Sequence, residues 1–130
     1  MGDEPNLEPL TPVAIEQRLR FLYNQLARAA KLLAEARDVE VRKRHDYLSA
    51  RRRVILSGMA PKVSRGQYTA ADRDAFVDSQ VEDAEFEYRV AEAAREAAQD
   101  HLRITRDQAE IVRSLGVGVR QAYELAGYDG

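Results

Sequence analysis

The sequence predicts an all-α fold: a long antiparallel helical hairpin of the coiled-coil kind, followed by a short C-terminal helix. Three observations support this prediction. Charged residues make up 32% of the chain and aromatic residues 7%, with no Trp, which is typical of long solvated helices. Two separate series of apolar residues recur at helical spacing, and one Gly- and Pro-containing segment lies between them.

The first helix is predicted over residues 12–57. Thr11 is a suitable N-cap residue, and Pro12 occupies the first helical position, where its missing N–H costs nothing. Polar residues Glu40 and Lys43 interrupt the apolar series that follows. We call this series the first seam; it consists of Ile15, Leu19, Leu22, Leu26, Ala29, Leu33, Ala36, Tyr47, Ala50 and Val54.

The second helix is predicted over residues 70–114, after a loop at 58–69. Thr69 and Asp72 have the spacing of a capping box. Arg95 and Thr105 interrupt the second seam, which consists of Val77, Val81, Ala84, Tyr88, Ala91, Ala98, Leu102, Ala109 and Val112.

Glycine residues at 116 and 118 predict a break, followed by a short helix over about 119–126. Residues 1–10 are acidic and hold two prolines, which predicts a flexible arm. The remaining residues, 11–130, are then a single helical-hairpin domain.

A hairpin of two helices this long has little core for its surface, so we expect further copies of the chain to cover the remaining apolar area. The predicted homo-oligomer would use the large apolar and aromatic residues outside the hairpin contact. These are Phe21, Tyr23, Val41, Leu48, Ile55, Phe76, Phe86 and Tyr123.

Charge is distributed unevenly along the chain. Residues 41–68 contain eight Lys or Arg and one acid, Asp46, whereas residues 72–100 contain ten acids and three Arg. A hairpin centred near residue 63 would place these stretches side by side, with Arg53 near Asp74 and Arg44 near Asp83.

Two interpretations of the basic stretch remain open. The basic residues pair with the acidic stretch and set the helix register, or they form a surface for a polyanion. Three consecutive arginines point to different sides of a helix, which favours an external partner. The nucleic-acid-binding residues predicted on the second interpretation are Arg42, Lys43, Arg44, Tyr47, Arg51, Arg52, Arg53, Lys62, Arg65 and Tyr68, with the tyrosines available to stack on bases.

Motifs for catalysis are missing from the sequence. The chain has no Cys and two histidines, His45 and His101, neither in a metal-binding spacing. We therefore expect no enzyme activity, no catalytic residue, no metal and no cofactor or small-molecule substrate. No apolar run approaches the roughly 20 residues that span a bilayer, and the N-terminus lacks signal-peptide features, so no membrane partner is expected.

The segment Ile111–Val117 followed by Val119–Ala122 suggests a helix-turn-helix, in which Arg120 and Gln121 would face a major groove. The alternative is a C-terminal packing or oligomerisation segment. The helical phase continues through Val112, Gly116 and Val119, which favours packing.

The order of segments also resembles known proteins. An Arg/Tyr-rich stretch (RKRHDYLSARRR) is followed by a short Gly-containing loop (KVSRGQYT), a helix opening ADRDAFVD, and a C-terminal RSLGVGVRQAYELAG. This arrangement resembles small helical proteins of tailed phages, particularly actinobacterial ones. It is loosely similar to the recombination-mediator family of T-even phages, which are helical oligomers that hold single-stranded DNA and help load a recombinase.

The resemblance implies that Lys43, Arg44, Tyr47, Arg51 and Arg52 contact DNA. It also implies a cytoplasmic location in a bacterial host, which agrees with the lack of Cys. The resulting hypothesis is a phage-type homo-oligomer that binds single-stranded DNA non-specifically and assists recombination or replication, with a recombinase or another phage protein as partner. The alternative is a coiled-coil adaptor or virion-assembly protein that binds only protein.

Overall fold

Three helices make up the part of the chain that the structure, a computed structural model, describes, which is residues 10–128. They are α1 (Pro12–Leu56), α2 (Ala70–Gln80) and α3 (Glu82–Tyr128), and no strand occurs in this range. The all-α prediction is confirmed, with a long helix packing against another. The predicted flexible arm lies outside the described residues except for Leu10, which is exposed.

Local capping interactions fix where the helices begin and end. The Thr11 hydroxyl accepts a hydrogen bond from the Ala14 N–H at 3.1 Å, so the predicted N-cap of α1 is confirmed. Beyond α1, Gly58 has a φ of 76°, a left-handed conformation that suits glycine and ends the helix.

A capping box begins α2, as the sequence predicts. The Asp72 N–H donates to the Thr69 hydroxyl at 3.1 Å, and the Thr69 N–H donates to the Asp72 carboxylate at 2.9 Å. The Thr69 backbone hydrogen bond lowers the pKa of the Asp72 carboxyl below its usual value. The start of α2 is therefore held by reciprocal hydrogen bonds between Thr69 and Asp72.

The described residues form two compact units. We call them the terminal unit, residues 10–31 and 100–128, and the loop unit, Leu32–Gln99. Each contains one stretch of α1 and one stretch of α3, and α2 belongs to the loop unit. The helices of the loop unit are antiparallel, because Lys43 pairs with Glu87 whereas Arg51, further along α1, pairs with the earlier Asp78.

Burial follows the two predicted seams. The core of the terminal unit contains Ile15, Leu22, Ala29, Thr105 and Ala109. The core of the loop unit contains Leu33, Val77, Val81 and Ala91. The other predicted members of both seams are half-buried.

Polar positions within the seams have partners. Thr105 is buried, and its hydroxyl donates to the His101 carbonyl at 2.8 Å. Glu40 and Arg95, which interrupt the first and second seams respectively, form an ion pair at 2.7 Å. The seams of the loop unit are thus joined through their polar interruptions as well as through apolar packing.

The prediction of a break at Gly116 and Gly118 and of a separate short C-terminal helix is wrong, because α3 continues through both glycines to Tyr128. Gly116 is buried one helical turn after Val112, in line with the second seam, and a Cβ built there would lie 2.8 Å from Cγ2 of Ile15. Close helix packing explains this glycine, and a cost of about 1 kcal/mol relative to Ala does not prevent helix formation. The helix-turn-helix interpretation is wrong for the same reason.

An unpredicted interruption separates α2 from α3 at Val81, whose φ of −114° and ψ of 19° depart from helical values. The Val81 N–H still donates to the Val77 carbonyl at 3.2 Å, and the Glu85 N–H donates to the Val81 carbonyl at 2.9 Å. No Gly or Pro stands at this position. The sequence therefore carries none of the usual signals of a break here.

None of the three helices combines the length and apolarity that crossing a bilayer requires, over the residues described.

Gly116 and Gly118 of α3 allow a test of the packing in the terminal unit. Gly116→Ala should lower the free energy of unfolding by about 1 kcal/mol, because an overpacking cost of roughly 1–3 kcal/mol exceeds the gain in helix propensity. Gly118→Ala, where nothing lies within 4 Å of the added Cβ, should raise it by up to about 1 kcal/mol. Urea denaturation followed by circular dichroism measures both, and equal stabilisation by the two variants would contradict the close contact.

Candidate nucleic-acid interface

The basic stretch begins in the C-terminal part of α1, where the helix turns by about 100° per residue. Lys43, Tyr47 and Arg51 are spaced by four residues and lie along one line of the helix. This line faces α2 and α3. Arg residues immediately beside it in sequence point elsewhere, so neighbouring bases have different surroundings.

Each residue of the inward-facing line contacts an acidic residue of α2 or α3. Lys43 Nζ lies 3.0 Å from Glu87 Oε2, and Arg51 pairs with Asp78. The Tyr47 hydroxyl donates to the Glu85 carboxylate at 2.8 Å.

The Tyr47 ring also contacts two neighbouring side chains, the Tyr88 ring and the Arg51 guanidinium. Its centroid lies 5.8 Å from that of the Tyr88 ring, with 16° between the ring planes, and the Arg51 guanidinium lies 5.9 Å from the Tyr47 centroid. Burial raises the pKa of the Tyr47 phenol, and the hydrogen bond to the Glu85 carboxylate raises it further. Tyr47 is therefore engaged within the chain rather than presented for stacking.

Six of the eight basic residues between 41 and 68 form no ion pair within residues 10–128. We call them the unpaired basic residues; they are Arg42, Arg44, Arg52, Arg53, Lys62 and Arg65. All six side chains are exposed. The guanidiniums of Arg42 and Arg53 each donate a hydrogen bond to the backbone carbonyl four residues earlier on α1.

Arg53 and Asp74, and likewise Arg44 and Asp83, are predicted to lie near each other, but neither combination forms an ion pair in the described residues. The observed Lys43–Glu87 pair has its midpoint at residue 65, not 63. Arg44 also lies about 100° around the helix from Lys43, away from the acidic partner. Pairing with the acidic stretch therefore accounts for Lys43 and Arg51 but not for the unpaired basic residues.

The loop carries the remaining basic and aromatic candidates. Lys62, Arg65 and Tyr68 are exposed there. The Ser64 N–H donates to the Tyr68 carbonyl at 3.2 Å, and Gly66 has a φ of 84°, which closes a tight turn. Residues 47–71 contain five bases and no acid, so the loop and the end of α1 are uniformly positive.

The acidic stretch, with ten acids and three Arg, is neutralised only in part by nearby arginines. Asp74, Glu92 and Asp100 each pair with an arginine one to three residues away. Glu82 and Asp83 form no ion pair in the described part of the chain. Positive charge thus remains on the surface near the loop, although the whole chain has a formal charge of −2.

The residues predicted for an oligomer interface lie mostly outside the buried seams. Phe76 is half-buried. The others are exposed: Phe21, Tyr23, Val41, Leu48, Ile55, Phe86 and Tyr123. Their exposure is compatible with a contact between copies, which stays a prediction.

Metal-binding geometry is not found among residues 10–128, since no group of three His, Cys, Asp or Glu side chains is placed to hold an ion. His45 is exposed, and its Nε2 lies 3.5 Å from the Ser49 hydroxyl. His101 is exposed on α3. The two histidines belong to different units.

No protein-family model, curated protein or solved structure matches this chain.

Sequence reasoning missed two couplings, and only one of them had a signal. Glu40 and Arg95 are opposite charges that interrupt the two seams, so their pairing could have been found by comparing the interruptions. The Tyr47–Glu85 hydrogen bond had no comparable signal, because Glu85 stands among several acids and only the register selects it.

The raised pKa of Tyr47 makes a prediction for stability against pH. Tyr47→Phe should lower the free energy of unfolding by about 1 kcal/mol near neutral pH, because it removes the hydrogen bond to a charged acceptor. The native phenol has a pKa above its ordinary value of 10.0, so its contribution is complete below that pH and is lost as pH rises through the native pKa.

The stability difference between Tyr47→Phe and the unchanged chain should accordingly shrink above about pH 10. Urea titrations at neutral and alkaline pH measure it. Tyr68→Phe, which alters an exposed phenol, is the matched control and should show no such change. A difference that stays constant with pH would contradict the proposed role of the Tyr47 hydroxyl.

Proposed function

We propose that this chain is a non-enzymatic, phage-type helical homo-oligomer that binds single-stranded DNA non-specifically and assists recombination or replication. The observation that carries the proposal is the set of six unpaired basic residues in and just before the acid-free stretch at 47–71. Basic side chains that have no acidic partner within residues 10–128 are available to phosphates. The resemblance to recombination mediators of phages is the reason for choosing DNA among polyanions.

Two of the unpaired basic residues mark a path for a DNA strand along α1. Arg42 and Arg53 are eleven residues apart, which is close to three helical turns, so they lie on the same side of the helix about 16 Å from each other. Lys62 and Arg65 continue the positive charge into the loop. A strand that follows this path would exchange condensed counterions for arginine and lysine contacts.

Base stacking in this proposal is assigned to Tyr68, which is half exposed in the loop. Tyr47 is not assigned, because Tyr88 covers its ring and Glu85 holds its hydroxyl. Lys43 and Arg51 are assigned to hairpin register rather than to DNA. The binding surface is therefore narrower than the one that the sequence predicts.

Further parts of the proposal follow from the phage resemblance: a cytoplasmic location in a bacterial host and a recombinase or other phage protein as partner. The second candidate function is an adaptor or virion-assembly protein that binds only protein. An exposed apolar groove in the loop unit, lined by Val39, Phe86 and Val90, favours this second candidate.

A labelled oligonucleotide titration at several salt concentrations separates the two functions. The unchanged chain should bind more weakly as salt rises. Arg42→Gln together with Arg53→Gln should weaken binding to every sequence and reduce the slope of log K against log salt by about 1.4, at roughly 0.7 per lost single-strand phosphate contact.

The matched control is Arg28→Gln together with Arg106→Gln, which removes the same charge from exposed positions outside 41–68. This control should leave the slope nearly unchanged. Undetectable binding at low salt, or equal effects of the two double variants, would contradict a DNA site beside the loop and leave the protein-binding function.

A further inference from the structure

An exposed apolar stripe runs along α1 in the loop unit. Val41, Leu48 and Ile55 recur every seven residues, which places them along one line of the helix. They are 67%, 42% and 48% exposed. Arg44 and Arg52 lie on the same face, so we call these five residues the basic stripe.

A second exposed apolar surface lies on α3 of the same unit. Phe86 is 69% and Val90 52% exposed, and with Val39 and Ala94 they line an open groove. Asp83 and Glu87 flank the two apolar side chains on α3, and Lys43, which pairs with Glu87, also lines the groove, so Asp83 is the acid here without an ion pair in the described residues. We call Asp83, Phe86, Glu87 and Val90 the acidic stripe.

The two stripes face opposite sides of α1. Val39 lines the groove, and Val41, two residues later, lies about 200° around the helix from it. One copy therefore presents the basic stripe on one side and the acidic stripe on the other. A surface used by one neighbour leaves the other surface open.

Charge decides which stripes can meet. Two basic stripes placed together would bring Arg44 and Arg52 of both copies into contact without an acid. Two acidic stripes would bring the Asp83 carboxylates of both copies together without a free base, because Lys43 is already paired with Glu87. Like charges at a contact are unfavourable, whereas the basic stripe against the acidic stripe joins opposite charges and apolar residues at once.

We propose that the basic stripe of one copy packs on the acidic stripe of the next, in a head-to-tail contact. The inference rests on the homo-oligomeric part of the proposed function and names its two surfaces. A head-to-tail contact uses different surfaces on the two partners, so it produces a ring or a filament rather than an isolated dimer.

The contact divides the unpaired basic residues into two groups. Arg44 and Arg52 belong to the contact between copies. Arg42, about 100° around the helix from Val41, stays outside it together with Arg53, Lys62 and Arg65. These four basic residues then repeat from copy to copy and form the surface for a polyanion.

Two variants that each disable one stripe test the contact. Leu48→Ser with Ile55→Ser disables the basic stripe, and Phe86→Ser with Val90→Ser disables the acidic stripe. Each double variant should weaken self-association by roughly 100-fold or more, because two large apolar side chains leave the contact. Analytical ultracentrifugation should show monomers for each variant alone at a concentration where the unchanged chain assembles.

The decisive sample is an equimolar mixture of the two variants. Each retains the stripe that the other has lost, so the mixture should form a one-to-one dimer that does not grow further. Val117→Ser with Leu125→Ser, which removes two exposed apolar side chains elsewhere, is the control and should assemble normally. Circular dichroism of every variant checks that helix content is retained.

Each other outcome overturns the inference. A mixture that stays monomeric while the unchanged chain assembles shows that the two stripes do not meet. A single variant that still dimerises shows contact between like stripes. An unchanged chain that is monomeric at all concentrations removes the homo-oligomeric part of the proposed function as well, whereas oligonucleotide titration of the same samples tests the DNA part separately.

Discussion

Packing between the seam of α1 and the seam of α2 and α3 is the constraint on which each unit of this structure depends. Every buried side chain of the loop unit belongs to one of these two lines, and so does every one of the terminal unit. A helix presents its core residues as a narrow stripe, so most of its surface is left to solvent or to partners. The large number of exposed apolar residues follows from this geometry rather than from poor packing.

The seams themselves were predictable because they depend on spacing alone. The first seam runs from Ile15 to Val54, and every position on it is buried or half-buried, including the polar residues Glu40 and Lys43. The caps at Thr11 and Thr69 were predictable for a similar reason, since they need only a side-chain oxygen at a fixed distance in sequence.

What could not be predicted depends on contacts between distant segments. Gly116 reads as a helix breaker until Ile15 is placed against it. Val81 is a good helix-compatible residue by sequence, yet the chain departs from helical geometry there. The basic stretch shows the same limit: composition identified its eight bases, but only the register separated Lys43 and Arg51, which have acidic partners, from the other six.

Opposite charges inside the seams also bear on how the chain folds. An apolar heptad repeat is nearly periodic, so a helical hairpin that slides by one heptad still buries apolar residues and can trap the folding chain. The ion pairs of Glu40 with Arg95 and of Lys43 with Glu87 do not repeat with the heptad. A hairpin shifted by one heptad loses both pairs and places these charged side chains opposite groups that do not neutralise them. These pairs therefore favour the observed alignment of the two helices over heptad-shifted alignments, rather than adding much to stability.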